Sequence, residues 1–318
     1  RKENITDYTS FVDPFIGTGG HGHTFPGATY PYGMVQLSPD TRIFEWDACS
    51  GYHSTDSTVN GFSHTHLSGT GIGDYTDILV MPVVGEPDIR KAGPQSQQTS
   101  FASPFRKETE KAIPGYYSVE LDRYKVKAEL TASQRAGFHR YTFPVSDKSG
   151  LLIDLDYTNQ NHPTDSVIFE IVSDTEIRGL KKSRGWARQQ YVYFYAVTSK
   201  PFTSATFYKN DSIVPDMRQL NGKSGKIFLA FSTKDKEEVM LKVGLSAVDM
   251  EGAKKNLDQE IPAWDFESVR INTRKVWNDF LAKVDVKSKN ETDERIFYTA
   301  LYHTAIAPNV FSDADGRY

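Results

Sequence analysis

The chain of 318 residues contains a single cysteine, Cys49, so no disulfide can close within it and cysteine usage says nothing about compartment. A small buried packing group is the expected role for that residue, ahead of a nucleophile. Long apolar runs are missing too: nothing approaches the roughly 18 consecutive apolar residues of a membrane-spanning helix. Basic character is equally scarce. The net charge is −4, and Lys and Arg are dispersed among acidic neighbours, so there is no stripe to follow a phosphate backbone and nucleic acid is not an expected partner. The opening RKENITDYTSFVDPF has neither an initiator Met nor the apolar core of a secretory leader, as expected of a chain whose leader was removed or never included.

What is present is an ordinary globular composition, 38% hydrophobic and 25% charged, with a high aromatic share of 13%. The length exceeds one typical domain of about 100 to 200 residues, which predicts one large unit plus a smaller piece.

Short strands dominate the first three quarters of the chain. Segments at 34–38, 78–84, 116–121, 124–130, 137–143, 151–157, 167–172, 191–197, 226–232 and 239–245 are rich in β-branched and aromatic residues and are separated by Gly, Pro, Asn and Asp clusters. Tyr124, Val126, Ala128 and Leu130 show the alternation of a half-buried strand. The pattern predicts a mainly β protein built on a large antiparallel β-sandwich.

After Leu245 the period changes. Ser246, followed three residues later by Asp249, reads as a helix start, with helix running to Pro262. A second helix is predicted over Asp265–Val284, where Phe266, Val269, Val276, Trp277, Phe280 and Val284 build one apolar stripe. A third, ETDERIFYTALYHTAIAP, carries apolar residues on more than one face until Pro308 stops it, and so should be buried on most sides. With little left to cover it, Phe297, Leu301 and Ile306 are expected to expose an apolar surface and favour self-association.

Five of the eight histidines lie between Asp13 and Asp77, in a block dense in Gly, Pro, aromatic and Asp residues. Such a block is costly to order, because glycine gives up more backbone freedom than any other residue. Chemistry is therefore expected there. His21 and His23 in GHGH, and His64 and His66 in SHTH, are each two apart, so on a strand each pair would share a face and offer two nitrogens to a metal or a sugar. Spacing alone leaves that choice open. Four histidines with Asp74 or Asp77 would make a zinc set on paper, although the helical His-Glu-x-x-His pattern and cysteine ligand pairs are absent. The glycine-dense GTGGHG is not followed by Lys-Ser/Thr, so Gly17, Gly19 and Gly20 predict a tight loop for close backbone approach rather than a phosphate cradle. Arg135, His139 and Arg140 resemble a basic site but fall on predicted strands, where interstrand or rim roles are expected.

The strings DPFIGTGGHGHTFPGATYPYGMVQLSPDTR, GFSHTHLSGTG, ELTASQRAGFHRYTFP and FYTALYHTAIAPNVFSDADGRY together resemble the N-terminal portion of glycoside hydrolase family 92, the calcium-dependent α-mannosidases. The resemblance spans essentially the whole chain in the family's order. It implies a β-sandwich over residues 1–245, a helical linker over 246–285, and over 286–318 the start of a truncated (α/α)6 barrel that carries the catalytic acid and base. It further implies an inverting exo-enzyme acting outside the cytoplasm on mannose-containing glycans, with the site between the two domains. Calcium is the implied cofactor, and both its ligands and the catalytic carboxylates should lie mostly beyond Tyr318.

Against that background Asp313 and Asp315, at alternate positions after a helix stop, could accept hydrogen bonds from sugar hydroxyls, or simply cap a turn. Arg42, Trp46 and Asp47 combine a donor, an aromatic face and an acceptor, the set that recognises a pyranose. The plainer alternative puts Trp46 in the core and pairs Arg42 with Asp40 or Glu45. Substrate contacts are expected among Asp313, Asp315, Arg42, Trp46, Asp47, His64, His66, Gly19 and Gly20. The rival readings are a non-catalytic carbohydrate-binding or interaction module, and a histidine-based metal hydrolase.

Overall fold

The computed structural model describes residues 6–90, 93 and 96–318. Two antiparallel sheets share one apolar core. The first orders its strands, edge to edge, as Ala28–Thr29, Gln36–Asp40, Gly61–Ser63, Leu79–Val84, Ser146–Asp154, Lys226–Thr233, Ser204–Lys209 and Ser212–Val214. The second orders Gln219–Gly222, Thr164–Ile171, Glu176–Ser183, Gln190–Thr198, Glu237–Ser246, Ala136–Phe143, Val126–Ala132, Tyr116–Leu121 and Lys111–Ile113. Leu37, Val80, Leu151 and Phe228 from the first sheet pack with Val119, Leu130, Tyr141 and Val239 from the second. This is the expected β-sandwich.

The central strands of the second sheet are buried on both faces, which is why they lack clean alternation. In Ala136–Phe143, Tyr141 and Phe143 enter the sandwich core, whereas Ala136 and Phe138 lie in a cluster with Ala253, Leu257 and Ile261 of helix α1 and its end. Helix α1 spans Met250–Glu260. Gly244 on the adjacent strand makes this docking possible, since a Cβ there would sit 2.3 Å from the Ala253 carbonyl oxygen and 2.8 Å from Leu257 Cβ. The helix begins later than expected. Ser246 ends the preceding strand, its hydroxyl turns the chain by accepting from Val248 N at 2.9 Å, and Asp249 is the cap, accepting from Gly252 N at 2.6 Å.

Helix α2, Phe266–Leu281, is capped by Asp265 and buries Phe266, Thr273, Trp277 and Leu281. Val284, assigned to its stripe from sequence, lies past the helix end and is exposed. Helix α3, Glu291–Thr304, follows an Asn290 cap. Trp277 and Leu281 meet Tyr298, Tyr302 and Ile306 together with Val12, Phe25 and Tyr52, so the N-terminal segment closes over the helical pair. The indole of Trp277 donates to the Thr29 carbonyl at 2.7 Å, and its ring lies 4.4 Å from that of Tyr302.

This cluster corrects two expectations about α3. The helix is not covered on most sides: Tyr298, Thr299 and Tyr302 are buried, but Ile296 is 55% exposed and Phe297 and Leu301 are only partly covered. Ile306, expected on an open surface, is buried against the N-terminal segment instead. No helix among the described residues is long and apolar enough to cross a membrane. Cys49 is buried, and that burial raises its thiol pKa, as suits a packing group.

Candidate functional site

The glycine-dense loop is tight in the way its composition demands. Gly22 N donates to the Gly19 carbonyl at 3.2 Å and Thr24 N to that of Gly17 at 3.3 Å. A Cβ on Gly22 would fall 2.1 Å from the Gly17 oxygen, so only glycine closes this loop. Gly19 packs on Ser54, whereas a Cβ at Gly20 would meet nothing within 4 Å. Gly20 therefore faces open space while its carbonyl accepts from His53 Nε2 at 3.2 Å.

Beside this loop the short turn Trp46–Ala48 presents Trp46, which is 55% exposed and does not fill the core. Its indole nitrogen donates to the Gly71 carbonyl at 2.9 Å, and its rings lie 4.8 Å from His21 and 4.5 Å from His23. Asp47 Oδ1 is 2.7 Å from His21 Nδ1 and 3.7 Å from His23 Nε2. The His21 hydrogen bond holds the Asp47 carboxyl below the usual range, keeping it an acceptor. An aromatic face, an ionised acceptor and a partly open imidazole thus adjoin one another.

Arg42 stands next to the group, but its fork is committed. Its Nε and Nη2 donate to the two oxygens of Asp56 at 3.1 and 2.6 Å, which raises its pKa further, and Glu45 is a distant 3.9 Å. Of the two partners proposed from sequence, Glu45 makes that longer ion pair through Nη1, and Asp40 is engaged elsewhere. Asp40 is fully buried and holds His66 at 3.0 Å. Asp56 and His53 are the supports that sequence reasoning missed, because a partner 14 residues along in a turn carries no spacing signal.

The SHTH pair is arranged differently from its expectation. Strand Gly61–Ser63 ends before it, so the period-two argument does not apply. His66 is buried, with Nδ1 on the Gln36 carbonyl at 2.8 Å and Nε2 between Asp40 and Ser63. His64 lies in the core between the Ile78 carbonyl and His139, and burial pushes its pKa down to about 4. Both rings are closed to a sugar.

The zinc set written from sequence is not assembled either. Asp74 accepts from Tyr75 N and Trp186 N, and Asp77 lies against Thr65, Gln190 and Lys181. Among the described residues the carboxylate that joins two histidines is Asp47.

Asp313 and Asp315 share no hydrogen-bonding partner with the Trp46 group. Asp313 is buried, accepting from Ser246 Oγ and Asn256 Nδ2, each at 2.8 Å, and so ties the C-terminal segment to α1. Asp315 pairs with Arg317 at 3.0 Å and Lys255 at 3.3 Å. The turn role weighed for these residues describes their present contacts. Arg135 binds Glu260, and Arg140 bridges Glu129 across the sheet to Glu267 of α2, so both serve structure.

Residues 11–246 match the glycosyl hydrolase family 92 N-terminal domain, and residues 252–318 match the catalytic domain of the same family. The chain belongs to glycosyl hydrolase family 92. A family 92 α-mannosidase from Bacteroides thetaiotaomicron is 36% identical, superposes with a TM-score of 0.91, and is matched over 98% of this chain and 42% of its own. A second family 92 glycosyl hydrolase structure is 30% identical with a TM-score of 0.87, over 97% of this chain and 42% of that one. A protein of Arthroderma benhamiae described as an uncharacterized secreted glycosidase is 28% identical over 96% of this chain and 42% of its own length. The chain thus spans less than half the length of these relatives. The second match covers nearly all of α1 and the whole of α2 and α3.

Proposed function

We propose that this chain is the N-terminal part of an exo-acting, inverting α-mannosidase that removes terminal α-linked mannose, with α-1,2 linkage the leading case, outside the cytoplasm. Family membership supports the reaction class, and the secreted relative supports the compartment. In this reading residues 1–245 are the sandwich, 246–285 link it, and 286–318 begin the (α/α)6 barrel, with the sugar held where the two parts meet.

The observation that carries the reading is the half-open Trp46 ring beside ionised Asp47 and the unobstructed Gly20. An indole face packs on the C–H face of a pyranose, a carboxylate accepts from its hydroxyls, and a bare glycine lets the sugar approach the backbone. The chain supplies grip. In this reading proton transfer, which for inversion needs a protonated carboxyl and a carboxylate about 6.5 to 9.5 Å apart, belongs to another part of the protein. Asp154 has its pKa pushed up to about 6 by burial, yet it is occupied by Lys226 and by the backbone N–H groups of Asp156 and Tyr157. It is not assigned as the acid.

Calcium, implied by the family, does not fit the ligand group found here. Calcium takes six to eight oxygen donors, whereas His21, His23 and Asp47 offer two nitrogens and one carboxylate.

The test is turnover by the whole protein on an α-1,2-linked mannobiose, with the product anomer followed by NMR. β-Mannose appearing first supports the reading. A folded whole protein that leaves α-mannosides intact, or that first releases α-mannose, contradicts it.

A further inference from the structure

We propose that His21, His23 and Asp47 form a binding site for a divalent transition-metal ion of the zinc class. The inference goes beyond the mannosidase reading and does not rest on it. The three ligand groups place one donor atom each within 4.8 Å of one another. Two imidazoles and a carboxylate are a donor set that suits zinc, with a fourth position left for water.

The hydrogen-bond pattern around His23 points to a cation. Its Nδ1 lies 3.0 Å from the Thr70 carbonyl, which can only accept, so Nδ1 carries the hydrogen. Nε2 is thus the ring atom left to act as a ligand, and it is buried with no hydrogen-bond partner among the described residues. What faces it is Asp47 Oδ1, a second acceptor, at 3.7 Å. The separation is too long for a hydrogen bond, so neither atom is satisfied by the other. A cation between them satisfies both. The carbonyl that fixes the tautomer is the outer-shell support that metal-binding imidazoles ordinarily have.

Distances fit with little movement. Metal–ligand bonds of about 2.0–2.2 Å in a tetrahedron set donor atoms roughly 3.3 Å apart. The His23–Asp47 gap is near that value, and His21 at 2.7 Å from Asp47 needs only a small outward swing, which its 69% exposed side chain allows. Trp46 packs against both imidazoles and limits their rotation.

The experiment uses the whole protein without a histidine tag, stripped of metal and titrated with zinc by calorimetry and with cobalt(II) by visible absorption. Wild type is expected to bind one more zinc equivalent than His21→Ala, or to bind that equivalent at least about tenfold more tightly, with Asp47→Asn giving a comparable loss. Cobalt should show four-coordinate visible bands that millimolar calcium does not displace. His21 is exposed, so its variant should fold, and circular dichroism checks that it does. If folded wild type and His21→Ala bind zinc with equal stoichiometry and affinity, or wild type takes up none, the proposal is overturned.

Discussion

His139 and His64 meet Nε2 to Nε2 at 2.9 Å in the interior of the sandwich, one ring from each side of the core. The network fixes their hydrogens. Ile78 O, 2.7 Å from His64 Nδ1, can only accept, so His64 Nε2 accepts from His139 Nε2, and His139 Nδ1 accepts from the Tyr141 hydroxyl at 2.8 Å. Each ring is neutral and fully bonded. Burial lowers the His64 pKa to about 4 and that of His139 well below its ordinary value.

The pair predicts acid sensitivity with a definite sign. Unfolded imidazoles take up protons near pH 6.5, and the folded pair cannot. Stability is therefore full above pH 6.5 and falls as pH drops toward 4, by up to about 2.7 kcal/mol per pH unit for two protons. Urea midpoints between pH 7.5 and 5 measure this. His139→Leu should be less stable at pH 7.5, because Tyr141 and His64 lose a partner, yet should show a shallower acid slope.

Trp277 locks the helices to the sandwich through its buried ring and its bond to Thr29. Trp277→Ala should cost about 3–5 kcal/mol in urea unfolding. Trp277→Phe should restore part of this and still leave the Thr29 carbonyl without its donor, a penalty of about 1–3 kcal/mol.

Among the described residues Asp56 is the carboxylate that grips the Arg42 fork through both Nε and Nη2. Asp56→Ala leaves a largely covered guanidinium without its charge partner and should cost about 2 kcal/mol. In the whole protein it should also raise KM more than it lowers kcat, because it loosens the Trp46 turn rather than the proton-transfer groups.

The sandwich was legible where strands are long and carry β-branched or aromatic residues. Tyr116–Leu121 falls on the segment read from sequence, and Ala136–Phe143 departs from it by one residue. Glu176–Ser183 went unread because EIRGLKKS has only Ile177 and Leu180 as large apolar residues, its other positions being set by neighbouring strands. In the loop platform the proximity of Trp46 and Asp47 was legible because they adjoin in sequence. The meeting of Asp47 with His21 and His23 was not, since it depends on a loop closure across about two dozen intervening residues. His64 and His66 misled because alternation predicts a shared face only inside a strand, and the strand stops at Ser63.

The central claim, that the loop platform around Trp46 grips the sugar, is tested most directly by steady-state kinetics of Trp46→Ala in the whole protein on an α-linked mannobiose. Loss of the ring face predicts a roughly tenfold or larger fall in kcat/KM, expressed mainly in KM, with the unfolding midpoint changed little because the side chain is half exposed. Unchanged kcat/KM in an equally stable variant would contradict the account.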